Sequence, residues 1–160
     1  RLPSEAQWEY VATGRGDRRV YPWGNAEPVP GKHGNFELAK ALSINPVTLS
    51  QEGQGTTVVG SFPDGASRDG VMDLAGNVGE WCDDWYQKPY PSRPQTDPVC
   101  RQPSHSRVIR GGSWGYYGWS QRAADREFTS AKYPGYVYLG FRVAIPEAGW
   151  KKLKDKLQDR

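Results

Sequence analysis

The sequence predicts a single loop-rich domain with a short capped helix, a few short strands and little other regular structure. Three observations predict it. The 160 residues include 19 glycines and 13 prolines; glycine admits backbone angles that other residues resist and proline fixes one, so this abundance means many turns and few long elements. Seven tryptophans and nine tyrosines offer large rings to build the core that long helices would otherwise build. The length suits one domain and is enough to bury a real core.

The elements follow in chain order. Pro3, Ser4 as N-cap, and the Trp8, Val11, Ala12 face read as a short helix ended by Gly14. From Gly14 to Gly70 the chain reads mostly as loop, with YPWGN at 21–25 a turn and TTVVGSF at 56–62 the best short strand. The segment GVMDLAGNVGEWCDDWY, 70–86, has no clean period of 2 or 3.6 and reads as short strand alternating with tight turn. Five prolines make 87–106 an exposed loop. RVIRGGSW and YLGFRVAI are the most strand-like segments and are expected in one core sheet. The tail from Glu147 to Arg160 puts Trp150, Leu153 and Leu157 at helical spacing among lysines, an amphipathic helix added to the domain and a possible docking element for a partner.

The net charge of +3 is spread along the chain, too thin an excess to suggest nucleic-acid binding. No segment reads as a membrane span or a signal peptide, and the first residue is not expected to be a natural start. Cys82 and Cys100 could pair, stay reduced, or bind a metal with help from other ligands. His33 and His105 have no metal-ligand spacing with them. No phosphate-cradling glycine loop or nucleophile elbow appears, and Ser113 lacks the elbow pattern. Asp73 and Glu80, with the glycines between them, could offer oxygens to calcium, although a Gly/Asn turn with solvated acids has the same composition. Arg110, Arg122, Arg126 and Arg142 could clamp an anion, or stack on rings and pair with Glu80, Asp125 or Glu127.

RLPSEAQWEYVATGRG, YPWGN, GVMDLAGNVGEWCDDWY, RVIRGGSW and LGFRVA, in this order from Arg1 to about Ile145, resemble the formylglycine-generating enzyme and sulfatase-modifying-factor family. The resemblance implies an α+β, loop-rich formylglycine-generating-enzyme fold related to C-type lectins over 1–146, with 147–160 as a helical tail. It also implies that a segment carrying the first part of the domain, or another chain, completes it.

For metals, the resemblance implies one structural calcium held by Asp73, the carbonyls of Gly76 and Val78, and Glu80. A second site would use Asn35 and Phe36, but Gln51 falls where an aspartate is expected. Oxidase members bind copper(I) through two cysteines after the Gly-Gly-Ser motif; here Tyr116 stands where the first is expected and the second falls near Gly118, so no copper is expected. The function expected is a ligand- or protein-binding module whose pocket is lined by Arg110, Ser113, Trp114, Tyr116, Tyr117, Trp119 and Arg126. The composition of 114–139, with Asp125, Phe128, Tyr133, Tyr136 and Tyr138, is that of a recognition surface, where rigid rings give contact area at low entropy cost, or of a ring-filled core. The alternative is part of an oxidoreductase, formylglycine-generating oxidase or sulfoxide synthase, whose metal ligands lie outside this chain.

Overall fold

The computed structural model describes residues 1–37, 55–88, 90, 93–132 and 137–158. Gln51, Tyr133, Tyr136 and the side chains of Leu153 and Leu157 lie outside that description. Helix α1, Glu5–Ala12, begins as its sequence dictates. Ser4 Oγ accepts from Gln7 N–H and the Gln7 side chain accepts from Ser4 N–H, a reciprocal capping box. Its last turn closes on Glu9 O through both the amide and the hydroxyl of Thr13, and Gly14 follows at φ +71°.

Four strands form one sheet: β1 Gly79–Trp85, β2 Ser106–Arg110, β3 Glu127–Ser130 and β4 Leu139–Gly140, in the order β3-β2-β1-β4. β2 is antiparallel to β1 and to β3, while β4 runs parallel to β1. The β1–β2 register slips between Trp81 and Trp85, which bends the ribbon. Both strand-like segments therefore do share the sheet, on either side of β1. The tail forms a second helix, α2, Glu147–Gln158, with Trp150 half-exposed. Among the described residues no helix is long and apolar enough to cross a membrane.

Segment 56–62 is not a strand. Val58 and Val59 are 79% and 78% exposed, and the backbone there is tied to side chains instead of a neighbouring strand: Thr57 N–H donates to Asn77 Oδ1 and Gly60 N–H to Asp73 Oδ2. Local β-propensity lost to the absence of a ladder partner among the described residues.

The core lies between α1 and the sheet and comprises Trp8, Ala12, Leu74, Cys82, Val108 and Ala123, with Val11, Val71 and Tyr86 packed against it. β1 turns Glu80, Cys82 and Asp84 inward and leaves Trp81, Asp83 and Trp85 half-buried. These two acids are accepted because α1 supplies donors. Asp84 Oδ2 takes the Glu5 N–H at 2.8 Å, one of the orphan amides of the first helical turn, and Glu80 Oε2 takes the Trp8 indole N–H at 2.7 Å.

Candidate ligand-binding surface

The turn after β2 is built by two glycines with positive φ, Gly111 at 95° and Gly112 at 62°. A Cβ on Gly111 would press on the Trp8 ring and the Leu74 backbone, and one on Gly112 would enter the Gln121 side chain. The turn is laced to the 73–78 loop by Gly76 N–H to Gly111 O at 2.8 Å and Trp114 N–H to Asn77 O at 3.0 Å. Beyond it the chain reverses, with Tyr116 N–H on Ser113 O, and a short 3₁₀ turn, Gly118–Gln121, carries it away. Glu37 holds this reversal from outside: its N–H donates to Tyr116 O and its carboxylate accepts from Gly118 N–H at 2.8 Å.

The result is a ridge on which Tyr117 and Trp119 stack at 6.3 Å with planes 13° apart while remaining 52% and 60% exposed. Tyr116 lies beside them, its ring 5.9 Å from that of Tyr138. Its hydroxyl hydrogen-bonds the Glu127 carboxyl on β3. Burial, and then the neighbouring Asp125 carboxylate, push Glu127 up to about 7, while the Tyr116 hydrogen bond pulls the other way.

The seven residues expected to line one pocket are divided by the fold. Tyr116, Tyr117 and Trp119 share the ridge. Arg110, Ser113 and Trp114 are each 1% exposed and form its foundation, with the Gly55 backbone lying on the Trp114 ring. Arg110 packs 5.1 Å from the Trp8 ring, pairs with Glu9 and donates to the carbonyls of Ala123 and Asp125. Its charge is consumed inside the protein. Ser113 Oγ and Gln121 Oε1 are buried and find no hydrogen-bond partner among the described residues.

Arg126, immediately before β3, goes elsewhere. It forms a two-pronged pair with Glu5, at 2.6 and 2.9 Å, and lies between the rings of Tyr86 and Tyr90 at 4.4 and 4.2 Å. There it walls a separate cleft of about 890 Å³ between α1 and the 93–102 loop. Nothing in the spacing of Glu5, Tyr90 and Arg126 announced this cluster, nor the roles of Glu37 and Glu127. Phe128, on the Arg126 side of β3, stacks on Tyr86 at 4.1 Å.

Of the expected calcium ligands, Glu80 and Asp73 are engaged by donors within the chain. Arg142 donates to both oxygens of Glu80 at 2.6 Å, Trp8 adds a third donor, and the Arg142 Nη2 also reaches the carbonyls of Met72 and Asp73 at 3.1 Å. A guanidinium therefore stands where the loop's acid and carbonyls converge. Asp73 spends Oδ2 on Gly60 N–H. Gly76 serves the loop through its conformation, φ +84°, with its Cα against the Asn35 carbonyl; Val78 is half-buried beside Gly140. Asn35, of the second expected site, donates to Gly55 O at 2.6 Å. Among the described residues no group of three or more His, Cys, Asp or Glu side chains is placed to hold a metal.

Both cysteines are free thiols. Cys82 is 1% exposed in the core and burial pushes its thiol well up, whereas Cys100 borders the large cleft. An alkylating reagent is expected to modify Cys100 in the native protein and Cys82 only after unfolding, as read by intact mass. Equal rates would contradict this burial. His33 accepts the Val29 N–H through Nδ1 and stacks on Trp23 at 4.5 Å, a structural role.

A loop-rich α+β domain with a buried Arg-Gly-Gly-Ser-Trp turn under an aromatic ridge defines a protein class, and comparison with known proteins agrees. The Sulfatase-modifying factor enzyme 1-like domain matches residues 1–146. The chain is 37% identical over 116 residues to the formylglycine-generating enzyme of Streptomyces coelicolor, covering 71% of this chain and 36% of that one. Among solved structures it resembles Treponema denticola variable protein 1, with a TM-score of 0.67 and 30% identity over 88% of this chain and 45% of the other. It also resembles PvdO from Pseudomonas aeruginosa, with a TM-score of 0.68 and 29% identity over 88% and 50%. The chain belongs to the formylglycine-generating-enzyme and sulfatase-modifying-factor family, and it spans half or less of the length of these relatives.

Proposed function

We propose that this chain is a binding module of the family, using the ridge of Tyr116, Tyr117 and Trp119 to contact a protein or small-molecule ligand, without copper-cysteine oxidase chemistry. The observation that carries the reading is the stacked, half-exposed Tyr117–Trp119 pair on a turn fastened by Glu37 and by the buried Trp114. Rings so held lose little entropy on binding, and their faces and polar edges suit recognition. Tyr116 and Gly118 offer no soft ligand where the oxidases use thiolates, and Cys82 and Cys100 belong to β1 and the 93–102 loop.

The test has two arms. A displayed random-peptide library panned on the chain should enrich binders that a Tyr117→Ser/Trp119→Ser variant with an unchanged melting temperature fails to hold. Enrichment unaffected by those substitutions would remove the ridge as the site. Incubation with copper(I), oxygen and a cysteine peptide is expected to give no aldehyde; turnover would establish the oxidoreductase alternative, which the identity to the Streptomyces coelicolor enzyme favours.

A further inference from the structure

The cleft of about 890 Å³ between α1 and the 93–102 loop takes no part in the reading above: none of Tyr116, Tyr117 and Trp119 lines it. Its size falls within the roughly 300 to 1,000 Å³ of small-molecule sites. One wall is the outer face of α1, where Ala6, Tyr10 and the C-cap Thr13 stand at helical spacing. The other wall is fastened to β1 at Cys100, whose N–H donates to Asp84 Oδ1 at 2.7 Å and whose carbonyl accepts from Trp85 N–H at 3.0 Å. Tyr90 borders the space, 56% exposed yet held by its hydroxyl on Glu5 and by Arg126 against its ring. The cleft is pre-formed, because both walls and this ring are tied down within the chain.

Charges along it are matched inside the protein. Arg126 spends Nε and Nη2 on Glu5 and Nη1 on the Gln87 carbonyl. Arg101 pairs with Asp83 at 2.9 Å, Glu9 pairs with Arg110, and Asp84 takes two backbone N–H groups. A charged ligand would compete with these pairs. An uncharged one would not, since a carboxylate that already has a donor keeps lone pairs for a hydroxyl. The Glu9 side chain is 41% exposed for that purpose. Gln95 and Gln102 add amides that donate and accept, and Tyr10, 56% exposed, adds a second ring.

We propose that this cleft is a second binding site, distinct from the ridge, and that it takes a short uncharged carbohydrate. A sugar ring presents an apolar C–H face and a rim of hydroxyls that each donate and accept. That is the complement of the Tyr10 and Tyr90 rings beside the Glu9 carboxylate and the Gln95 and Gln102 amides. The internal ion pairs then act as selectivity: they hold the acceptors in place and disfavour a ligand that must break them.

The experiment probes an array of neutral, sialylated and sulfated oligosaccharides with the full chain and titrates the best neutral one by calorimetry. A neutral glycan should bind, and Tyr10→Ala should weaken it about three- to tenfold. The Tyr117→Ser/Trp119→Ser variant, which removes the ridge, should hold it as tightly as the native chain. Cys100 reports the position without any substitution: glycan at about ten times its Kd should slow alkylation of that thiol about tenfold. An array on which no neutral glycan is held would overturn the proposal. Preference for the acidic glycans would transfer recognition to Arg93, which also lines the cleft, and overturn the uncharged assignment. Unchanged Cys100 alkylation at saturation, or loss of binding in the ridge variant, would place the glycan elsewhere and overturn the site.

Discussion

Replacing Arg142 by methionine is expected to destabilise the domain by about 3 to 5 kcal/mol, the cost of stranding a buried carboxylate. Glu80 is 6% exposed at its side chain and receives three donors, two of them from Arg142. Methionine fills much of the volume but leaves Glu80 with the Trp8 indole alone. The same guanidinium holds the carbonyls of Met72 and Asp73, so its loss also frees the loop whose Gly76 and Asn77 support the Gly111–Trp114 turn. Urea denaturation of Arg142→Met measures the loss, and a change below about 1 kcal/mol would mean that water substitutes for the guanidinium. Calcium enters the same measurement. With Arg142 in place, millimolar calcium or a chelator should leave the native midpoint unmoved. In the variant, where Glu80 is released, calcium should recover part of the loss. A large calcium shift in the native protein would show that the ion displaces the arginine.

The second large effect is expected at Glu5 and Arg126. Their side chains are 6% and 14% exposed, and Glu5 also accepts the Tyr90 hydroxyl at 2.7 Å and lies 3.8 Å from Arg110 Nε. Arg126→Met strands Glu5 within the first turn of α1, and Glu5→Gln strands Arg126 between two tyrosine rings. Each single change should cost about 3 kcal/mol. The double variant should cost clearly less than the sum, because the second substitution removes the charge that the first left unpaired. Additive losses would show that Arg126 acts through its stacking on Tyr86 and Tyr90 instead of its charge. This cluster ties α1 to the start of β3, to Gln87 and to Tyr90, so limited proteolysis next to Gln87 and Tyr90 should accelerate in both single variants.

The parts of this protein legible from sequence are those governed by local chemistry. Ser4 and Gln7 cap α1 because the capping box needs only residues three apart. YPWGN forms its turn, with Tyr21 and Gly24 exchanging backbone bonds and Tyr21 stacked on Trp23 at 4.8 Å, within five residues. The ordered motifs are sufficient to assign the family and its fold.

What the tertiary structure decided concerns partners distant in the chain. β1 hides its period because its buried face carries Glu80 and Asp84, and acids are tolerable there only since Trp8 and the Glu5 amide, more than 70 residues away, supply donors. Segment 56–62 has strand composition but, among the described residues, no strand to pair with. Arg126, three residues from Ala123 in the core, was drawn away from Tyr116 to Glu5 and the rings of Tyr86 and Tyr90, and Arg142 entered a loop whose composition suits a metal. In each case the outcome turned on which charge or hydrogen-bond donor the fold brought to a buried group, and burial makes an unpaired charge too costly for that choice to be left to local sequence.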